Sequence, residues 1–205
     1  MARAVLPLML LLSLSLSRAD VERAVSLARW PHTDAERAHF HDPYFVFTAT
    51  DGLGQARTMV LEVEVVTEFR RVELLAEEHE RLNDNFGRGG TDGVFQALRP
   101  WRGKVAIDVH LQLPFQTSQL PESSAQTIPI PPTEIEVSGV GKLPARQVFR
   151  TVATARSGFS PQWLQGNIVE ALFDTAAVGR TTRDVRVTVD GHELARVAAN
   201  FAALE

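Results

Sequence analysis

The sequence predicts a mainly β protein of the α+β class. The expected architecture is a set of antiparallel, β-sandwich-like sheets with one amphipathic helix inserted at about residues 69–83 and short N-terminal helices. Three observations predict it. About eight segments alternate apolar and polar residues with the two-residue period of a half-buried strand. Turn residues separate them, most clearly Asp190-Gly191. One long segment between the early strands switches to helical period.

The first nineteen residues read as an address rather than as part of the fold. Arg3 supplies a positive start, Ala4–Ser17 is free of charge, and Ser17 and Ala19 are the small residues a signal peptidase reads. The apolar run is shorter than the ~20 residues that span a bilayer. A secretory signal peptide cleaved after Ala19 is therefore expected, leaving residues 20–205 as a single β-rich domain. No second apolar stretch is long enough to span a membrane.

Val21, Ala24, Val25 and Ala28 recur at helical spacing and Pro31 stops that helix. Asp34 is placed to cap a second short helix, Ala35–Phe40. Tyr44–Thr50 is an aromatic, β-branched strand ended by Asp51-Gly52. Thr58–Thr67 alternates cleanly: Met59, Leu61, Val63 and Val65 share one face, and Glu62 and Glu64 share a face expected to be wet. The period then changes. Phe69, Val72, Leu75, His79 and Leu82 form the apolar stripe of a helix, with Glu77 and Arg81 as an i,i+4 pair and glycines 87, 89 and 90 as its stop.

A helical turn is expected over Gly93–Leu98. Lys104–Leu113 gives the strongest strand signal, with Asp108, His110 and Gln112 on its polar face. Five prolines break regular structure across residues 114–132, which is either a functional loop or a linker splitting the chain into 20–113 and 133–205. Strands resume at Thr133–Ser138, Gln147–Ala155 and Asn167–Phe173. Asp174 is expected to cap a short turn closed by Gly179. Arg183–Val189 and His192–Phe201 form a hairpin through Asp190-Gly191. This last segment resembles immunoglobulin-like sandwiches in general, a likeness of architecture that implies no activity.

The composition narrows the chemistry. The chain has 205 residues, 44% hydrophobic and 22% charged, within the globular range. It has no cysteine, which excludes disulfides, thiolate-bound zinc, iron–sulfur clusters, a thiol nucleophile and a lipoprotein anchor. No Asn is followed by Ser or Thr two positions on. The net charge of −4 becomes −6 once Arg3 and Arg18 leave with the leader, which disfavours nucleic acid as a partner. Only Lys104 and Lys142 of the 21 basic residues are lysines, a bias that reads as bacterial codon usage.

Several constellations have the right residue types for function, and each also has a plainer explanation. His32, His39 and His41 could ligate a metal, but they fit a solvated entry segment as well. His79-Glu80 and His192-Glu193 begin a zinc-protease helix, yet Asn83 and Arg196 stand where the second imidazole belongs. Glu62, Glu64, Asp108 and His110 would converge if their strands pair, a spacing compatible with acid–base work on a glycoside. The plainer reading is a solvated strand face. The glycine-rich segments at 87–93 and 139–142 lack phosphate-loop context, and no nucleophile elbow is present.

Trp101 and Trp163, with Ile128 and Ile130 in the proline-rich segment, are the candidate recognition surface. No cofactor is implied. The sequence leans away from an enzyme, toward an exported, secreted or periplasmic binding or structural module of the bacterial cell envelope. Its partner would be an envelope protein or glycan. The alternative is a glycan-acting or metal-assisted hydrolase built on Glu62, Glu64, Asp108 and His110.

Overall fold

The computed structural model describes residues 16–29, 41–50, 57–82, 84–113, 130–148 and 167–204. Among these the fold is mostly β, with two antiparallel sheets and few helices. Helix α1 spans Arg18–Arg29, opened by reciprocal hydrogen bonds between Ser17 and Asp20. A 3-10 turn, Asp42–Tyr44, leads into β1 (Phe45–Thr48) and β2 (Met59–Val66). Helix α2 (Glu68–Arg81) follows at once, because the Thr67 hydroxyl accepts a hydrogen bond from the Arg70 amide and caps it. Then come α3 (Asp92–Ala97), a 3-10 turn (Arg99–Trp101) and β3 (Lys104–Gln112).

The second half holds β4 (Thr133–Val137), β5 (Gly141–Pro144), β6 (Arg146–Val148) and β7 (Ile168–Asp174). Helix α4 (Thr175–Val178) and the hairpin of β8 (Thr182–Val189) and β9 (His192–Asn200) complete it. One sheet has the order β1-β2-β3-β7-β6 and the other β5-β4-β8-β9. Asp190 and Gly191 both take positive φ, 49° and 78°, which is what the tight β8–β9 turn requires.

The two sheets share one apolar core. Val63, Val65, Ile107, Val109, Val169 and Ala171 of the five-stranded sheet belong to the same buried cluster as Ile135, Val137, Val185 and Val187 of the other. Because strand side chains alternate, the neighbours of these residues point to the opposite face of the five-stranded sheet. That face is covered too: every residue from Val60 to Val66, and from Val105 to Leu111, is buried. Helix α2 lies over it. The apolar side of α2, Phe69, Val72 and Ala76, joins Val21, Ala24 and Val25 of α1 in the core.

Several expectations need correction. Glu62 and Glu64 do not face water, and neither do Asp108 and His110, because α2 covers the face they occupy. The β2–β3 register shifts between Val60 and Glu62, so strict alternation stops there, and Leu61 packs with Ile168 instead of Val63. Gly139 sits in a turn as expected, but β5 begins two residues later, a strand that Gly, Lys and Pro do not advertise. Asp174 ends β7 and makes no side-chain cap; Lys104 pairs with it. Glu77 meets His41, a partner the sequence did not suggest, and the side chain of its expected partner Arg81 lies outside the described residues. Leu82 is exposed past the end of α2. The expected helix 35–40, the strand beyond Val148, and residues 114–129 lie outside the described residues.

Candidate functional site

Two cross-strand rows run along the covered face. In one, Glu64 stands opposite Asp108 and Asp108 opposite Glu170, with Phe45 and Arg146 at the two ends. In the other, Glu62 stands opposite His110, between Thr48 and Ile168. Three carboxylates are thus direct neighbours, an arrangement that repels. Glu62, Glu64, Asp108 and His110 are each at most 3% exposed, so water does little to screen them. The sequence-expected convergence of these four groups is present, under a helix and away from solvent.

Helix α2 answers the carboxylates with a polar stripe. Arg70 donates from Nε to Glu64 Oε1 at 2.9 Å and from Nη1 to Glu73 Oε2 at 3.2 Å. Its guanidinium carbon lies 5.3 Å from the centre of the Tyr44 ring. Arg71 pairs with Glu170, which Arg146 holds from the other side at 2.9 Å. His110 Nδ1 lies 3.0 Å from Glu62 Oε2, and its Nε2 lies 3.8 Å from Glu64 Oε2. The Phe45 ring meets the His110 imidazole edge-on, 6.0 Å between centres. Glu62 Oε1 and His110 Nε2 are buried and accept or donate no hydrogen bond among the described residues.

Glu73 is the member of the stripe whose carboxyl burial affects most visibly among the described residues. Burial pushes its carboxyl from 4.5 up to about 7; Arg70 opposes the rise, and Glu77 and Glu64 add to it. At the edge of the layer, His41 Nε2 lies 2.9 Å from Glu77 Oε1. His32 and His39, the other candidate ligands, lie outside the described residues, and no three metal-binding side chains gather among the described ones.

Trp101 is half-buried with the Arg71 guanidinium 4.9 Å from its ring centre, and its indole nitrogen has no hydrogen-bond partner among the described residues. Ile130 is partly buried against the core, just ahead of β4. Trp163 and Ile128 lie outside the described residues. His79 stacks on Phe86, 4.3 Å between ring centres, and pairs with Asp84, whose carboxyl that hydrogen bond lowers. His192 begins β9, exposed.

A cleft of about 340 Å³ opens elsewhere, lined by Val21, Glu22, Val25 and Arg29 of α1 and by Gly87 and Val94. Arg29 is engaged there with Glu80 and the Phe86 carbonyl. The cleft contains none of the convergent carboxylates.

Sequence reasoning found the carboxylates and His110 but missed Arg70, Arg71, Glu73, Glu77 and Glu170. A signal was available. Arg70, Glu73 and Glu77 stand at i, i+3 and i+7, a second helix stripe complementary in charge to the strand faces.

Comparison with known proteins adds little. No family model and no curated protein matches the sequence. One solved structure, described as a novel protein of unknown function from Burkholderia pseudomallei, is similar over 90% of this chain and 95% of its own. The identity is 10% and the TM-score 0.42, and neither fold nor function is carried over from that likeness.

Proposed function

We propose that the protein is an exported, soluble binding or structural module of a bacterial cell envelope, with a mature chain beginning at Asp20. One observation carries the choice of module over enzyme. The side chains best suited to catalysis are buried beneath α2, and charged partners on that helix and on the strands engage them. Groups spent on seating a helix are not presented to a substrate. The uncharged run Ala4–Ser17 behind Arg3, with Ser17 and Ala19 ahead of the cleavage point, supports export. Cleavage after Ala19 would also remove the Ser17 hydroxyl that caps α1, leaving Asp20 to open the helix.

Fractionation of a bacterial host, followed by intact-mass analysis, tests this reading. The expected result is an exported species lacking Met1–Ala19. A cytoplasmic species that retains them contradicts it. Partner recovery is tested by incubating the mature chain with envelope extract, comparing wild type with Trp101→Ala.

The second reading, a hydrolase, is favoured by the 3.0 Å approach of His110 to Glu62 and the nearness of Glu64. It requires α2 to lift from the sheet. Hydrolysis of a glycan panel by wild type, lost in Glu62→Gln, would establish it over the module.

A further inference from the structure

Where α3 hands the chain to β3, the segment Arg99-Pro100-Trp101-Arg102-Gly103-Lys104 carries three cations and no carboxylate. Its backbone is pinned. The Trp101 amide donates to the Leu98 carbonyl at 2.9 Å and the Arg102 amide to the Arg99 carbonyl at 3.5 Å. The Gly103 amide donates to Glu68 Oε1 at 2.6 Å, at the start of α2, and the Gly103 carbonyl accepts from the Thr175 amide at 2.9 Å. Pro100 stiffens the turn, and Gly103 supplies the positive φ, 68°, that leads into β3.

A 3-10 turn repeats every three residues, so side chains at i and i+3 stand in one row. Leu98, buried, and Trp101, half-buried beside the Arg71 guanidinium, form the inward row. Arg99 and Arg102 form the next row, and both are exposed. The Arg102 guanidinium lies 5.6 Å from the centre of the Phe95 ring, a contact that steadies it but gives its N–H groups no oxygen acceptor. Among the described residues neither Arg99 nor Arg102 meets a carboxylate, whereas Arg18, Arg29, Arg146 and Arg186 each do. Two like charges held side by side on a fixed turn repel, in a chain whose net charge is −4. An anion from outside the fold relieves that repulsion.

We propose that Arg99 and Arg102 are the charged pair of a glycan-binding site, which takes an acidic polysaccharide by the carboxylates on its sugar rings, with Trp101 in the adjacent row supplying apolar contact. This names the ligand class of the envelope module and rests on that reading. A guanidinium presents its donors as a planar fork that matches the two oxygens of a carboxylate. Two forks on a pinned turn lose little freedom on binding, which suits a polymer with repeating charge. A membrane surface fits less well: the exposed large hydrophobics among the described residues are Leu82, Leu143 and Leu194, none of them in this segment.

The experiment is native electrophoresis of the purified protein, whichever N-terminus it carries, through gels containing polygalacturonate or neutral dextran. Retardation by polygalacturonate and not by dextran is expected. The double variant Arg99→Gln/Arg102→Gln should bind about tenfold more weakly, as the loss of two exposed ion pairs implies. Arg57→Gln/Arg180→Gln, which removes the same charge from two exposed sites elsewhere, should bind as wild type does. Arginine modification by phenylglyoxal, mapped by mass spectrometry, gives a readout that needs no variant: polygalacturonate should protect Arg99 and Arg102 and leave Arg57 and Arg180 reactive. The proposal is overturned by migration indifferent to polygalacturonate, by equal weakening in the two double variants, by modification of Arg99 and Arg102 undiminished in its presence, or by retention on phosphatidylglycerol vesicles in its place. Fractionation of the host reads export separately, so a failure of the envelope reading is told apart from a failure of the glycan site.

Discussion

Replacing Arg70 with Met keeps most of the side-chain volume and removes the cation. Arg70 is 2% exposed and holds both Glu64 and Glu73. The variant leaves Glu64, itself 0% exposed, opposite Asp108 without the guanidinium that sits 2.9 Å from it. Removing one partner of a buried ion pair costs about 3–5 kcal/mol, because the remaining charge is stranded. Against a total stability of about 5–15 kcal/mol, that is a large fraction. The cost depends on pH. Without Arg70, which opposes the rise in the Glu73 carboxyl, that carboxyl moves further up, so the variant loses stability as pH rises and recovers part of it in acid. Urea unfolding followed by circular dichroism at mildly acidic and mildly alkaline pH measures both effects, with an unchanged m-value as the sign that the comparison is sound. Replacing Glu64 and Glu73 by Leu in the same chain should return most of the loss, since an apolar layer strands no charge. A loss below about 1 kcal/mol for Arg70→Met at alkaline pH, the range of exposed ion pairs, would refute the reasoning.

Three further outcomes follow from packing and backbone geometry. Thr67→Ala removes the hydroxyl that accepts from the Arg70 amide, and should cost about 1 kcal/mol, read as a drop in Tm of about 2–4 °C. Gly87→Ala places a methyl at φ +70°, 3.2 Å from Val25 Cγ1, and should cost at least about 1–2 kcal/mol; an unchanged Tm would contradict it. Ile135→Ala opens a cavity between the sheets at a fully buried position and should cost about 2–5 kcal/mol in denaturant unfolding.

The elements legible in the sequence are those whose signal is local. The alternation of Val105, Ile107, Val109 and Leu111 gives β3, the spacing of Phe69 and Val72 gives α2, and Asp190-Gly191 gives the β8–β9 turn. The fate of the polar faces was not legible. Alternation separates two faces of a strand, but it does not say whether the second face meets water or another element. Glu62, Glu64, Asp108 and His110 therefore read as a wet face, and only the position of α2 reverses that. The shift at Leu61 left no trace, because Val60 and Leu61 are both apolar and either suits the core-facing series. The edge strand β5 was missed because Gly141, Lys142 and Pro144 carry no strand preference; its pairing with β4 supplies what its composition lacks.

The central claim is that these carboxylates seat a helix and are sealed by it. Carbodiimide labelling of the native protein, read by mass spectrometry at each peptide, tests it most directly. Glu134, Glu136 and Glu193 are more open to solvent and should label readily. Glu62, Glu64, Asp108 and Glu170 are at most 3% exposed and should stay unmodified until the protein is unfolded. Labelling of Glu64 and Asp108 at the rate of the surface glutamates would show a face open to solvent and to substrate, and would contradict the account.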